Sequence, residues 1–282
     1  MSDSPFSLSR HVRPVRLTTR RGDFAALEAA PANGSPRATV VMLPGYTGGK
    51  EEFVPLFPHL LAAGYRAVAV DARGQNETDG PDDEVAYSQD ALAMDVLAQA
   101  ETVGGPVHLL GHSMGGHLAR AAVLADPRPF ASLTLLSSGP AQVGEERQLQ
   151  LKLLLRALET LTMAQVWEMM QESRPAPASP KEAEQLRARW LRTHVSHLRV
   201  LGRQLLTEPD RTAQLAALTR LPKHVAYGDA DDTWTTWQLE DMATRLKAHR
   251  TVLTEAGHSP NLQHPAETAT SLIEFWSGIS RR

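Results

Sequence analysis

The stretch that decides the fold is residues 107–124, which read VHLLGHSMGGHLARAAVL. The apolar residues 107–110 predict a short buried strand, and the alanine- and leucine-rich run from Met114 predicts a helix. Between them lies the pattern G-x-S-x-G, which occurs often by chance and gains meaning only in this strand–turn–helix context. We therefore expect a tight turn that lifts the Ser113 hydroxyl above the edge of a sheet. The alternative is a glycine-rich turn in which the serine only caps the helix.

Other apolar runs have the same character as residues 107–110, namely 39–43, 66–70, 131–136 and 224–227. Helical patterns lie between them at 53–63, 88–102 and 114–124. This alternation predicts an α/β fold with a mostly parallel central sheet, buried on both faces and flanked by helices. Residues 12–18 and 24–28 predict an antiparallel opening pair, residues 250–253 a last strand, and residues 265–279 a closing helix.

The regular alternation stops between residues 140 and 220, where the pattern is helical and a proline-rich joint at 174–180 divides the segment. We interpret residues 140–220 as a helical cap inserted into a core made of residues 1–139 and 221–282. Apolar and aromatic residues at helical spacing are expected to form mainly the core of the cap, with the remainder shaping an apolar pocket. These residues are Leu153, Leu154, Leu158, Met163, Trp167, Met169, Met170 and Trp190.

The composition excludes several classes of protein. The chain has 282 residues, 42% of them hydrophobic, a net charge of −3 and no cysteine. The charge gives no reason to expect a nucleic-acid partner, and disulfides and thiolate chemistry are excluded. Because we find neither a membrane-length apolar run nor an apolar secretory segment in residues 1–17, we expect a cytoplasmic protein with no membrane partner. We expect no cofactor and no metal, the acidic run 79–84 being a solvated loop. A monomer and a homodimer both remain open.

The elements and the motif together resemble a capped serine hydrolase of the α/β-hydrolase superfamily, over nearly the whole chain apart from the cap. The resemblance implies that Ser113 is a nucleophile. It also implies an oxyanion hole made by the backbone N–H groups of Met114 and of Tyr46, the latter in LPGYTGG at residues 43–49. The chain departs from the usual family pattern at Pro44, where a histidine is common. The backbone donor survives this change, but the histidine side chain is missing.

A histidine alone carries little weight here, since the chain has eleven. His258 stands out because it lies in a Gly-His loop between the last predicted strand and the closing helix, which makes it the candidate general base. His112 is expected to pack beneath the serine turn. His117, His194 and His197 are expected to serve packing or to be exposed, although His194 and His197 could line the cleft.

The candidate acid lies in YGDADDTW at residues 227–234. The family spacing of a glycine, two variable residues and an aspartate selects Asp231, with Asp232 as the second choice and Asp229 as a turn residue. The order Ser113, Asp231, His258 is the order of this fold. Residues 71–74, DARG, are also similar to the family and are expected to brace nearby loops. Residues 75–78, QNET, differ from the family and are expected to change one wall of the pocket.

The resemblance implies hydrolysis of a small or medium carboxylic ester or lactone through an acyl-enzyme on Ser113. Two alternatives stay open, because the fold does not dictate the reaction. One is hydrolysis of a carbon–carbon bond or an amide on the same triad, and the other is a non-catalytic ligand-binding member of the superfamily. A serine at the turn argues against haloalkane dehalogenases and epoxide hydrolases of this fold, which use an aspartate there.

Overall fold

The computed structural model describes residues 6, 11–32, 35–171, 177 and 179–279. Its centre is an eight-stranded sheet in the order β1-β2-β4-β3-β5-β6-β7-β8. The strands are β1 (Arg13–Thr19), β2 (Gly22–Ala29), β3 (Thr39–Leu43), β4 (Arg66–Val70), β5 (Val107–His112), β6 (Phe130–Leu136), β7 (Lys223–Gly228) and β8 (His249–Leu253). The six neighbouring strands β4-β3-β5-β6-β7-β8 are parallel to one another. β1 and β2 form the predicted antiparallel pair, and β2 joins β4 antiparallel. The predicted fold class is confirmed.

The inner strands β3 to β7 are mostly apolar and buried because helices cover both faces of the sheet there, whereas the outer strands β1 and β8 are more polar and exposed. Successive side chains of a strand point to opposite faces. In β3, Val41 joins the core on one face, whereas Val40 and Met42 join the core on the other. All three side chains are completely buried. This double burial explains why the strands read as continuous apolar runs rather than as alternating ones.

The helices complete the layers on both sides of the sheet. They are α1 (Phe57–Ala62), α2 (Gln89–Val103), α3 (Met114–Ala125), α4 (Glu145–Thr160), α5 (Met163–Gln171), α6 (Pro180–Arg192), α7 (Val195–Thr207), α8 (Thr212–Ala217), α9 (Thr236–Leu246), α10 (Pro260–Gln263) and α11 (Pro265–Ile279). None of the helices formed by the described residues is long and apolar enough to cross a membrane.

The predicted helical stretch at 53–63 consists of two kinds of helix. A 3-10 helix occupies Lys50–Leu56 and α1 follows it directly. Pro55 lies inside the 3-10 helix and Pro58 in the first turn of α1. Neither proline has a backbone N–H, so one uninterrupted α-helix cannot form across them. The predicted helical stretch is thus helical over residues 53–62, first as a 3-10 helix and then as an α-helix.

The segment 140–220 lies between β6 and β7, where the described residues form the helices α4 to α8 and no strand. Residues 174–176 and 178 of the proline-rich joint lie outside the described residues. Leu158, Trp167 and Trp190 are buried, while Leu153 and Met169 are 60% and 39% exposed. We call residues 140–220 the helical insertion.

Buried polar contacts tie the helical insertion to the sheet-bearing core. The Arg120 guanidinium of α3 lies 2.7 Å from the Glu208 carboxylate, and both side chains are almost fully buried. Between α6 and α7, the His194 N–H donates to the Gly74 carbonyl at 2.7 Å, and the Asn76 N–H donates to the Thr193 hydroxyl at 3.1 Å. The insertion is therefore bonded to the core at two separate places.

Candidate active site

The candidate site lies at the carboxyl ends of the parallel strands. Tyr46 follows β3, Ser113 follows β5, Asp231 follows β7 and His258 follows β8. These strands are neighbours in the sheet, with only β6 between β5 and β7. The loops after parallel strands emerge at one edge, which is where open α/β sheets bind ligands. Residues 212 positions apart in the chain therefore meet in one cleft.

Ser113 occupies a strained turn between β5 and α3. Its backbone has φ 53 and ψ −119, and its N–H donates to the Leu136 carbonyl at 2.9 Å. A positive φ at a residue other than glycine is uncommon and costs free energy, so the surrounding structure must hold it. A Cβ on Gly111 would lie 2.3 Å from the Gly115 carbonyl oxygen, and a Cβ on Gly115 would lie 2.2 Å from the Leu43 carbonyl oxygen. Both glycines of the motif are required by close backbone contacts.

Three side chains form one hydrogen-bonded row. The Ser113 Oγ lies 2.9 Å from the His258 Nε2, and the His258 Nδ1 lies 3.0 and 3.1 Å from the two carboxylate oxygens of Asp231. The Asp231 side chain is fully buried and also accepts from the Thr233 N–H at 2.8 Å. Burial opposes the charged form of Asp231, but the hydrogen bond and charge of His258 outweigh it and lower the pKa of Asp231.

The neighbouring aspartates are placed differently. Asp232 is 72% exposed and pairs with Arg147 at 2.9 Å, and the Asp229 residue is exposed at the turn. Gly228 ends β7 at a point where a Cβ would lie 2.1 Å from the Ala256 carbonyl oxygen. This close approach brings the Asp231 loop against the His258 loop. Of the three aspartates, Asp231 is the one that bonds to His258.

The two predicted backbone donors lie beside Ser113. Met114 is the first residue of α3, so its N–H has no acceptor within the helix. Tyr46 follows Gly45, where a Cβ would lie 3.5 Å from the Ser113 Cβ. The Tyr46 side chain is buried, and its hydroxyl donates to the Leu198 carbonyl of the helical insertion. The loop after β3 is thus held against both the serine turn and the insertion.

His112, predicted only to pack beneath the serine turn, also makes two polar contacts. Its Nδ1 lies 2.7 Å from the Glu52 Oε1, and its Nε2 lies 2.9 Å from the His258 carbonyl oxygen. Glu52 lies in the 3-10 helix after β3 and was not among the predicted site residues. Burial opposes the charge of His112, but the charge and hydrogen bond of Glu52 outweigh it, so the pKa of His112 is raised.

The DARG segment follows β4 and bonds to the 3-10 helix after β3 and to α2. Asp71 is fully buried and accepts from both the N–H and the Nζ of Lys50, each at 2.7 Å. Arg73 donates to Asp95 at 2.8 Å. In the following segment, the Gln75 amide donates to the Gly45 carbonyl at 2.8 Å. These contacts fit the bracing role expected for residues 71–74.

One group of carboxylates is close enough to hold a cation. Oxygens of Glu51, Asp71 and Glu77 lie within 4.8 Å of one another. The Lys50 ammonium is 2.7 Å from Asp71, 2.7 Å from Glu77 and 3.0 Å from Glu51. The lysine therefore supplies the positive charge that this acidic group requires.

The cleft at Ser113 has a volume of about 380 Å³. The helical insertion contributes apolar and charged side chains to its wall, which are Val143, Arg147, Leu151, Glu182, Leu186, Arg189 and Leu205. Arg147 pairs with Asp232, whereas no ion pair joins Arg189 to a carboxylate in the part of the chain that the structure describes. A second cavity of about 560 Å³ shares Phe6 and Arg189 with the first.

Several residues considered for the cleft lie elsewhere. His197 is fully buried and its Nδ1 contacts the Arg73 carbonyl at 2.8 Å, and His194 caps α7. Trp190 is buried and donates to the Met163 carbonyl at 2.7 Å. Glu52 and Arg189, by contrast, do line the cleft. Neither carries a sequence signal, because each lies in a helical segment where charged residues are ordinarily solvated.

The sheet, the serine turn and the strand order define an α/β-hydrolase. The family model described as the alpha/beta hydrolase family matches residues 40–271, and the chain belongs to that family.

Curated relatives match over shorter segments. A stretch of 111 residues is 39% identical to a 2-hydroxy-6-oxononadienedioate/2-hydroxy-6-oxononatrienedioate hydrolase of Pseudomonas putida, and covers 38% of this chain and 38% of that protein. A similar hydrolase of Cupriavidus pinatubonensis is 34% identical over 129 residues, which are 44% of each chain. The matched segments therefore span less than half the length of these relatives.

Solved structures match over almost the whole chain. A thermophilic esterase from Thermogutta terrifontis has a TM-score of 0.75 and 20% identity, over 95% of this chain and 99% of that one. An enol-lactonase from Burkholderia xenovorans has a TM-score of 0.74 and 17% identity, over 93% and 100%. At these identities the likeness establishes the fold alone.

Proposed function

We propose that the protein is a serine hydrolase that cleaves a small or medium carboxylic ester or lactone. The observation that carries this proposal is the hydrogen-bonded row from the Ser113 Oγ through His258 to the buried Asp231. Such a row activates a hydroxyl that is otherwise a weak nucleophile. Its three members come from different loops. If they served packing alone, they would not need to form a continuous row of hydrogen bonds.

In the first half of the reaction, His258 Nε2 takes the proton as the Ser113 Oγ attacks the carbonyl carbon. Asp231 holds the Nδ1–H and stabilises the imidazolium that forms. The imidazolium then protonates the leaving alkoxide, and an acyl-enzyme remains on Ser113. In the second half, His258 removes a proton from water, the hydroxide attacks the acyl carbon, and the proton returns to Ser113 as the acid leaves. For a lactone, the alcohol and the acid are released as one molecule.

The developing oxyanion needs donors that are already in place. In this proposal the N–H groups of Tyr46 and Met114 supply them, which fits their positions beside Ser113. Pro44 does not affect this role because the donor belongs to the backbone of Tyr46. A cavity of about 380 Å³ lies at the low end of ordinary small-molecule sites, in keeping with a small or medium substrate.

A fluorophosphonate probe tests the nucleophile without assuming a substrate. We expect one covalent adduct on Ser113, located by intact mass and peptide mapping, and turnover of p-nitrophenyl esters in a panel graded by acyl length. Ser113→Ala should lose both while keeping its melting temperature. Adduct formation on another serine, or none, would contradict the assignment. Labelling without turnover of any ester would point to another substrate class, and the absence of both to a ligand-binding protein.

A second candidate reaction, hydrolysis of a carbon–carbon bond on the same residues, is favoured by Arg189. Arg189 lines the cleft, and its guanidinium lies 5.6 Å from the centre of the Phe6 ring with no ion-pair partner among the described residues. In this candidate reaction it binds a substrate carboxylate. The names of the Pseudomonas and Cupriavidus relatives specify dicarboxylates. The discriminating assay compares kcat/KM for a 2-hydroxy-6-oxo-dienedioate with that for a neutral p-nitrophenyl ester. Arg189→Gln should lower only the first, and equal losses on both would exclude a carboxylate-binding role.

A further inference from the structure

Beneath the loops of the candidate site lies a second pair of polar side chains, Glu52 and His112. Their side chains are only 6% and 5% exposed. They belong to the 3-10 helix after β3 and to the last residue of β5, and they meet across 60 positions of the chain. Neither is a member of the proposed triad, and burying two such groups requires compensating contacts.

Glu52 holds the loop that carries Tyr46. Its Oε1 accepts from the Gly45 N–H at 3.2 Å and faces the His112 Nδ1 at 2.7 Å. The backbone carbonyl of Glu52 is itself fixed, because the Asn261 amide donates to it at 2.9 Å. One carboxylate oxygen therefore links the proposed oxyanion loop to the residue that precedes the nucleophile.

His112 extends this link to the proposed base. Its Nε2 lies 2.9 Å from the His258 carbonyl oxygen, and the two imidazole rings are 5.2 Å apart. Both partners of His112, a carboxylate and a carbonyl, are acceptors. When Glu52 is ionised, both ring nitrogens must carry a proton, which makes the side chain an imidazolium. The neutral form would turn a lone pair toward one of the acceptors and break that bond.

The charges around His112 favour its protonated form. Burial lowers the pKa of His112, but Glu52, the His258 carbonyl and Asp231 outweigh burial and raise it. The titratable groups near it are Glu52 from the 3-10 helix and Asp231 and His258 from their loops. The helical insertion adds Arg147, Glu182 and Arg189 to the wall of the same cleft.

We propose that Glu52 and His112 are positioning residues for hydrolysis, and that their ion pair fixes the Gly45–Tyr46 loop and the His258 loop relative to Ser113. The inference rests on the proposed function. It follows from one continuous chain of bonds, from the Gly45 N–H through Glu52 and His112 to the His258 carbonyl. A displacement of about 1 Å at a reacting group can cost about 10²-fold in rate, so such anchoring matters for turnover.

The test uses Glu52→Gln and His112→Gln in the full chain. A glutamine at 52 can still accept from Gly45 and from His112 but has no charge. A glutamine at 112 has both N–H donors on one nitrogen, so it cannot replace the bonds that His112 makes from two separate ring nitrogens. We expect the kcat for a p-nitrophenyl ester and the rate of fluorophosphonate labelling at Ser113 to fall about 10- to 100-fold, with little change in KM.

The pH profile separates positioning from general stability. Wild-type labelling should decline as the pH rises above 6.5 and through the raised pKa of His112, where His112 loses its proton. Glu52→Gln should move this decline to lower pH because the stabilising charge is gone, and His112→Gln should not show it at all. Glu208→Gln is the matched control, since it removes the charge from another buried pair, with Arg120, outside the cleft. It should lower the melting temperature and keep labelling within about twofold of wild type.

The outcomes are distinct. Wild-type protein that is not labelled at Ser113 would refute the proposed function and this role with it. Wild-type labelling with unchanged rates and pH profiles in both folded variants would refute the positioning role alone. Equal losses in Glu208→Gln would also refute it, because any buried charge would then matter equally. If His112→Gln does not fold, the pH profile of Glu52→Gln alone tests the positioning role. A decline in labelling at lower pH than in wild type would support this role, and an unchanged profile would refute it.

Discussion

The Asp231→Asn substitution tests which acid orients the proposed base. Both carboxylate oxygens of Asp231 lie within 3.1 Å of the His258 Nδ1, and Oδ1 also accepts from the Thr233 N–H. Asparagine has nearly the same size, but its amide oxygen would keep the Thr233 bond and turn the NH₂ group toward His258. The Nδ1 would then have to accept, which moves the imidazole proton to Nε2 and prevents that atom from receiving the Ser113 proton.

The expected magnitude follows from this change of tautomer. The geometry stays intact while the base is blocked, so kcat should fall about 10²- to 10⁴-fold with little change in KM. This loss corresponds to about 3 to 5 kcal/mol of transition-state stabilisation. The Asp231 side chain is fully buried, so solvent cannot replace the lost acceptor.

The assay is steady-state hydrolysis of a p-nitrophenyl ester, with fluorophosphonate labelling as a second readout. Asp232→Asn and Asp229→Asn are the controls, because Asp232 is 72% exposed and Asp229 is an exposed turn residue. Both should stay within about tenfold of wild type. A large loss in Asp232→Asn with none in Asp231→Asn would refute the assignment, and a small loss in all three would mean that His258 needs no orienting acid.

Three further predictions concern stability and selectivity. Ser113→Gly should raise the free energy of unfolding by about 0.5 to 2 kcal/mol, measured by urea denaturation. Glycine adopts a φ of 53 without the strain of about 1 to 3 kcal/mol, but it loses about 0.5 to 1 kcal/mol more conformational entropy on folding. Leu205→Ala enlarges the cleft and should raise kcat/KM for longer acyl chains relative to shorter ones. Trp190→Ala should lower the free energy of unfolding by about 3 to 5 kcal/mol and lower kcat/KM for all acyl lengths by the same factor. The raised pKa of His112 stabilises the fold fully below its ordinary pKa of 6.5, and this contribution should be lost as pH rises through the folded value. Denaturation curves at a series of pH values should show that loss in wild type and not in Glu52→Gln.

The fold was predictable because its evidence is local. The apolar runs that predicted the strands are buried on both faces, and the closing helix at 265–279 has the predicted bounds. At 53–63 the apolar periodicity predicted a helical stretch but not the type of helix. Pro55 and Pro58 lack backbone N–H groups, and the stretch begins as a 3-10 helix.

The sequence alone determined the turn at Ser113, because the two motif glycines reflect backbone contacts that tolerate no Cβ. It also determined which loops follow which strands, and hence the order of Ser113, Asp231 and His258. Only the tertiary structure decided which polar side chains meet. The His112 bonds span 60 and 146 positions, and Arg189 reaches the cleft from the helical insertion. Local patterns report burial and backbone conformation, whereas contacts of this kind depend on how separate loops pack against one another, which no local pattern encodes.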